Sequence, residues 1–371
     1  MKKKQQRRKF LKSIVCLCTP ALSSLSMAIL NACNKNEARA TLPDIALGNN
    51  KNKSGDSLAM GQHIGFEPSY VKLQTSGELK KRGQKLWEIM ENCQLCPREC
   101  GANRIAGEKG FCHASSDLII SSFHPHFGEE PPLVGKGGSG TIFFSHCSLR
   151  CVFCINWEIS HGGQGSKRDI EKLARMMLHL QDIGCLNINV VTPTHYPAHI
   201  LLALDLAAAH GLRLPLVYNT CGWEKKDILK QLDGIVDIYL PDFKYSDNDM
   251  AAKYSADAGS YPEMTKEALL EMHRQVGVAK ADKKGIMHRG LMIRHLVMPN
   301  HVENSKGVMK WIAENLPKDT FVNIMSQYRP MYKAYDYPEI SRRISNTEYA
   351  EVVDYARSVG LTNLEIQGYR F

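Results

Sequence analysis

From residue 141 onward the chain alternates short apolar runs with stretches whose apolar residues recur every three or four positions. A run of four to seven apolar residues bounded by turn formers reads as a buried strand, and spacing by three and four marks one face of a helix. The first such run covers 141–145. Within 169–183, Ile170, Leu173, Ala174, Met177 and Leu180 fall on one helical face. A strand over 187–191 follows, then a helix over 198–210 stopped by Gly211. Further strands are expected at 214–218, 235–240, 291–297 and 321–325. Further helices are expected at 225–232, 263–276, 303–315 and 347–359, and 364–366 closes the chain as a strand. About six βα units in succession predict an α/β fold, a parallel sheet curled into a full or partial TIM-type barrel over 135–371. The functional groups of such a fold gather at the carboxyl ends of its strands.

The region before the barrel is different. Residues 76–134 hold a short helix at 78–90 and then a cysteine-rich extension with Gly and Pro. Residues 41–75 are polar, rich in Asn, Lys, Ser and Gly, and read as a linker. Residues 1–40 read as a targeting segment. Gln6-Arg7-Arg8-Lys9-Phe10-Leu11-Lys12 precedes an apolar stretch over 13–30, the pattern of twin-arginine export. Leu30-Asn31-Ala32-Cys33 resembles a lipobox, with Cys33 as the acylated residue, and Ala38-Arg39-Ala40 offers an ordinary cleavage site. The expected location is therefore periplasmic or membrane-anchored. The alternatives are an uncleaved span, for which the stretch is borderline and broken by Pro20, and a cytoplasmic protein with a chance basic start.

Charge supports this division. The chain has a net charge of +9. Residues 1–40 contain nine Lys or Arg and a single acid, Glu37, so nearly all of the excess lies there. The remainder is close to neutral, which argues against a nucleic-acid partner.

The twelve cysteines are grouped, which in a chain of this size favours metal ligation over a disulfide framework. Cys147-Ser-Leu-Arg-Cys151-Val-Phe-Cys154 follows the first barrel strand directly. A [4Fe–4S] cluster offers four irons; three thiolates leave one open for a small molecule. Competing readings are a zinc site completed by His146 or His161, a thiol oxidoreductase based on Cys151 and Cys154, and plain buried thiols. Cys93, Cys96, Cys100 and Cys112 form a second group, fit for zinc or an auxiliary iron–sulfur cluster, or else thiols that are reduced or disulfide-linked. Cys185 and Cys221 stand alone and read as packed near strands. His63, His124 and His126 belong to no motif, and Asn52-Lys53-Ser54 is read as an incidental sequon. The run from Gly135 to Gly140 formally matches G-x-G-x-x-G, but it precedes a strand, whereas a dinucleotide fingerprint follows one. It reads as a turn.

From about Cys93 to Phe371 the chain resembles the radical S-adenosylmethionine (SAM) superfamily, and within it the proteins similar to pyruvate formate-lyase activating enzyme. The resemblance is carried by the triad, by Cys-Gln-Leu-Cys-Pro-Arg-Glu-Cys at 93–100, and by Val-Thr-Pro-Thr-His at 191–195. Val-Tyr-Asn-Thr at 217–220, Tyr-Leu-Pro-Asp-Phe-Lys-Tyr at 239–245, Ile-Arg-His-Leu-Val-Met-Pro at 293–299 and Met-Ser-Gln-Tyr-Arg-Pro at 325–330 carry it further. It implies a [4Fe–4S] cluster on Cys147, Cys151 and Cys154, SAM as cofactor, and reductive cleavage of SAM to a 5′-deoxyadenosyl radical that abstracts hydrogen. It implies Phe153 near the adenine. Where the family carries Gly-Gly-Glu, this chain places Thr192, Pro193 and Thr194. Asn219, Asp242 and Lys244 end the next two strands and complete the expected cofactor-binding set. Arg294 and His295 point to opposite faces of their strand, so only one faces inward, and Gln327 and Tyr328 end the sixth. A flavodoxin- or ferredoxin-like electron donor and a protein substrate, whose backbone glycine would be activated, are the implied partners. The rival class is a non-enzymatic electron-transfer lipoprotein with iron–sulfur or zinc stations.

Overall fold

The computed structural model describes residues 66–367. The targeting segment, Cys33 and His63 lie outside the described residues.

Ten strands lie among the described residues: β1 (Leu118–His126), β2 (Ser139–Phe144), β3 (Ser166–Arg168), β4 (Ile188–Val191), β5 (Leu216–Thr220), β6 (Ile238–Pro241), β7 (Lys280–Ala281), β8 (Met287–Leu296), β9 (Phe321–Met325) and β10 (Leu364–Ile366). The sheet runs β10-β9-β8-β6-β5-β4-β2-β1-β3, with β7 attached to β8. From β2 to β10 every neighbouring pair along this path is parallel. Helices cross between them, at Ile170–Asp182, Pro197–Ala209, Lys226–Gln231, Tyr261–Val276, Val302–Asn315 and Asn346–Ser358. This is the α/β, partial-barrel architecture expected of the alternating pattern.

Local chemistry explains the boundaries. Asp169 caps the helix Ile170–Asp182 by accepting from the Lys172 amide at 2.6 Å. Ser345 and Glu348 form a reciprocal capping box at the start of Asn346–Ser358. The turn into β2 needs glycine for space: a methyl on Gly137 would lie 2.0 Å from the Gly184 carbonyl oxygen. The barrel interior is filled by Val217, Ile238, Leu240, Met292 and Phe321, with Leu133 and Met287 beneath.

Three features depart from expectation. β1, within the cysteine-rich region, pairs antiparallel with β2 and carries β3 on its far side. Part of the extension is thus sheet. A seven-residue helix, Asn248–Tyr254, stands between β6 and the helix Tyr261–Val276. Residues Tyr70–Thr75, in the stretch read as linker, are helical. Tyr70 is fully buried and donates to the Leu214 carbonyl at 2.8 Å. Just before it, the Ser69 amide donates to Asp237 at 2.9 Å, and the Leu216 amide donates to the same carboxyl at 3.0 Å. This anchors the start of the described chain to the amino ends of β5 and β6.

Candidate active site

The carboxyl ends of the parallel strands gather one polar assembly. The loop after β2 carries Cys147, Cys151 and Cys154. Its path is tight: His146 and Arg150 adopt positive φ, 75° and 55°. Cys151 is buried, Cys147 and Cys154 half-buried. Each thiol has a partner from elsewhere in the fold. Ser255 donates to Cys151 Sγ at 3.2 Å, Cys154 Sγ and Ser160 Oγ lie 3.1 Å apart, and Cys147 shares a hydrogen bond with Cys221. Cys221 follows β5 directly, so it reaches the loop from across the mouth. That bond holds Cys147 below the ordinary thiol range and Cys221 above it. Burial raises Cys151, to about 12, and Cys154.

Beside the thiols lies a chain of charges. Lys244 Nζ bonds Asp242 at 2.6 Å; Arg294 bonds the other Asp242 oxygen at 2.9 Å and Asn219 at 2.6 Å; Glu129 stands 3.5 Å further along. Burial would raise the Asp242 pKa, but Arg294 and Lys244 override it and keep the carboxylate charged. The order reverses for Lys244, where burial works against the charge and Asp242 and the Cys151 thiol restore it. Arg294 is thus the inward residue of its pair. His295 is fully buried, between the Phe243 carbonyl at 2.6 Å and Ser305 at 2.8 Å.

The family model of the radical SAM superfamily matches residues 141–312. Uncharacterized protein MJ0674 of Methanocaldococcus jannaschii is 32% identical over 281 residues, 74% of this chain and 76% of that protein. The chain belongs to the radical SAM superfamily. Among solved structures it is similar to Streptococcus suis SuiB bound to precursor peptide SuiA, at 15% identity and TM-score 0.42. That match covers 60% of this chain and 47% of SuiB, so the chain spans about half the length of that protein. It is also similar to methylornithine synthase (PylB), at 10% identity, TM-score 0.40, and 82% and 83% coverage.

A radical SAM protein implies a [4Fe–4S] cluster and SAM, and the residues present fit the cluster. The donor set is three soft thiols on one loop, with Ser160 and Ser255 hydroxyls bonded to two of them and Lys244 close enough to act electrostatically on all three. His161 is turned elsewhere, its Nε2 on the Cys151 carbonyl at 3.0 Å. Among the described residues no three or more His, Cys, Asp or Glu side chains are already gathered as a metal cage, and this includes both thiol groups.

The other sequence candidates divide. Asn219, Asp242 and Lys244 come together through Arg294. Phe153 is buried between Tyr245 and Tyr328, with centroids 6.5 and 6.0 Å away. Thr192 adopts positive φ, 58°, and its amide bonds the Asn219 carbonyl at 2.9 Å. Pro193 and Thr194 are buried, and the Thr194 hydroxyl is spent on Glu224 at 2.6 Å. Tyr328 is buried with its hydroxyl on the Ile340 carbonyl at 2.7 Å, while Gln327 bonds Met325 Sδ at 3.1 Å.

Sequence reasoning missed several residues of the site, Ser160 and Glu129 among them. Cys221 obeys the strand-end rule that singled out Asn219 and could have been found by it. Glu224, also bonded by Thr220, has its carboxyl raised to about 7 by burial. Neither it nor Ser255 follows a sequence pattern, and Arg98 was seen only as part of the 93–100 motif. Arg98 donates to the Ser148 carbonyl at 3.1 Å and the Ser255 carbonyl at 3.0 Å.

Proposed function

We propose that this protein uses a [4Fe–4S] cluster on Cys147, Cys151 and Cys154 to cleave SAM reductively and abstract hydrogen from a polypeptide substrate. The observation that carries the reading is the placement of the three thiols on the loop after β2, at the carboxyl ends of the parallel strands. When bound, the cluster supplies the electron that breaks the sulfonium C–S bond. The chain's own residues do the rest. Ser160, Ser255 and Lys244 offset the negative charge that three thiolates concentrate. Asn219, Arg294, Asp242 and Lys244 present fixed polar groups to the amino, carboxylate and ribose groups of SAM, already oriented by one another. Phe153, wedged against two tyrosines, gives an apolar surface suited to the adenine.

A polypeptide substrate, and backbone glycine of a partner enzyme as the target, rest on the resemblance to activating-enzyme-like proteins. A flavodoxin- or ferredoxin-like donor would supply the electron. Export by the twin-arginine route, with lipid on Cys33, rests on residues 6–33. Changing Arg7 and Arg8 together to Lys should trap the precursor in the cytoplasm, and a wild-type protein found there with Met1–Ala40 intact would end that proposal.

The test of the chemistry is anaerobic reconstitution. The reduced protein should show a [4Fe–4S] electron paramagnetic resonance signal that changes with SAM, and dithionite should yield 5′-deoxyadenosine. Cys151→Ala should abolish both. A cluster indifferent to SAM would return the protein to plain electron transfer.

A further inference from the structure

Away from the triad, residues 93–116 form a knuckle closed by its own backbone. The Cys93 amide bonds the Ala102 carbonyl, the Gly101 amide the Cys93 carbonyl, and the Gly110 amide the Ala114 carbonyl, each at 3.0–3.1 Å. Cys93, Cys96 and Cys112 are buried at 4, 6 and 5% exposure; Cys100 is exposed, and all four thiols are free. A methyl on Gly110 would meet Cys100 Sγ at 3.2 Å and Cys112 Sγ at 3.6 Å, so these sulfurs flank one point. Cys96 lies within electrostatic reach of Cys93 and Cys112, and Cys112 within reach of Cys93 and Cys100, and burial raises both Cys96 and Cys112.

The second observation is Arg104. Its side chain is fully buried. It donates twice to the Ser115 carbonyl, at 3.1 and 2.8 Å, once to Cys93 Sγ at 3.8 Å, and sits 5.8 Å from the Tyr196 ring. Among the described residues no carboxylate is within ion-pair distance of it. A guanidinium cannot shed its proton, and a buried unpaired charge is strongly destabilising. Four neutral thiols, or two disulfides, leave it uncompensated. A divalent ion held by four thiolates carries a net charge of minus two and compensates it.

We propose that Cys93, Cys96, Cys100 and Cys112 bind one zinc ion as a tetrathiolate that is the counter-charge of buried Arg104. Spacings of two and three residues between the first three thiols are those of structural zinc knuckles, and two sulfurs flanking one point suit a single ion. Binding requires the four sulfurs to turn onto a common centre, and metal content reads whether they do.

The test uses the full chain with Cys147, Cys151 and Cys154 all changed to Ala, so that iron at the mouth cannot contribute. Elemental analysis should find about one zinc per chain. Cobalt in its place should give the charge-transfer bands of four thiolates. Adding Cys112→Ser should remove the ion; if that variant does not fold, exposed Cys100→Ser carries the comparison and should lower zinc retention against a chelator. A folded triple variant without metal, or with iron and acid-labile sulfide instead of zinc, overturns the proposal. Failure of SAM cleavage in the wild-type chain would not affect it.

Discussion

Ser255 donates its hydroxyl to the sulfur of Cys151 at 3.2 Å across 104 residues of sequence, and accepts a second bond from the Tyr245 hydroxyl at 2.8 Å. A donor aimed at a cluster thiolate stabilises the reduced, more negative state. Ser255→Ala should therefore lower the reduction potential. A hydrogen bond of about 0.5–1.5 kcal/mol corresponds to about 20–60 mV for one electron. A potentiometric titration followed by electron paramagnetic resonance checks it, and an unchanged potential would show that Ser255 does not act on the cluster.

Arg98 clips the cluster loop to the cysteine knuckle, its guanidinium stacked between Phe111 at 4.0 Å and Trp223 at 4.6 Å. Arg98→Met removes the two carbonyl bonds and should cost about 2 kcal/mol. Iron should be lost from the protein faster on dilution. Lys should not rescue, because an ammonium neither stacks as a plane nor spans two carbonyls as a fork does. Iron release kinetics distinguish the three forms.

Asp242 holds two cations. The three side chains are 14–16% exposed, so removing the acid leaves Arg294 and Lys244 largely desolvated. Asp242→Ala is expected to cost about 3 kcal/mol of stability. Adding Lys244→Met should recover part of it, where two independent losses would simply add. Denaturant midpoints of the single and double variants measure this.

Asp237 sets a pH dependence far from the mouth. Burial raises its carboxyl to about 6, against hydrogen bonds from Ser69 and Leu216 and the charge of Arg289. The folded pKa exceeds the unfolded one, so the folded state holds the proton longer. Stability from this group is complete below about pH 4 and falls as pH rises through about 6, by about 2–3 kcal/mol. Asp237→Asn should be less stable at low pH, since an amide donor replaces one acceptor, and should lose the slope. Unfolding curves at several pH values between these limits decide it.

The barrel was legible because its strands and helices carry different periods. The helix Ile170–Asp182 was located to within a residue at each end through its cap and apolar face. β9 and β10 were located fully. β8 begins at Met287 rather than at 291, because His288, Arg289 and Gly290 look like loop until β7 pairs with Met287 and Arg289 and β6 with Gly290. β1 was missed because only Leu118 and Ile120 are buried and its end reads His-Pro-His. The triad was legible because its spacing is local. Ser255, Cys221 and Glu224 were not, since only the crossovers bring them to Cys147 and Cys151. Thr194 stands near a strand end, but its hydroxyl turns to the Glu224 carboxyl, which no spacing along the chain connects with it.

The outer strands of the sheet, β3 and the described β10, are three residues long, and β3 is wholly exposed with Lys167 and Arg168 on it. Strands β3 and β10 themselves offer an incoming chain almost no ladder to extend, and the charges of β3 discourage the attempt, although β3 covers only Leu118–Ile120 of β1. A polypeptide substrate that meets either of these short strands would be recognised by its side chains above the strand ends rather than as an added strand. Selectivity would then depend on the loops that crown the barrel, where one substitution can change what is admitted without disturbing the sheet beneath.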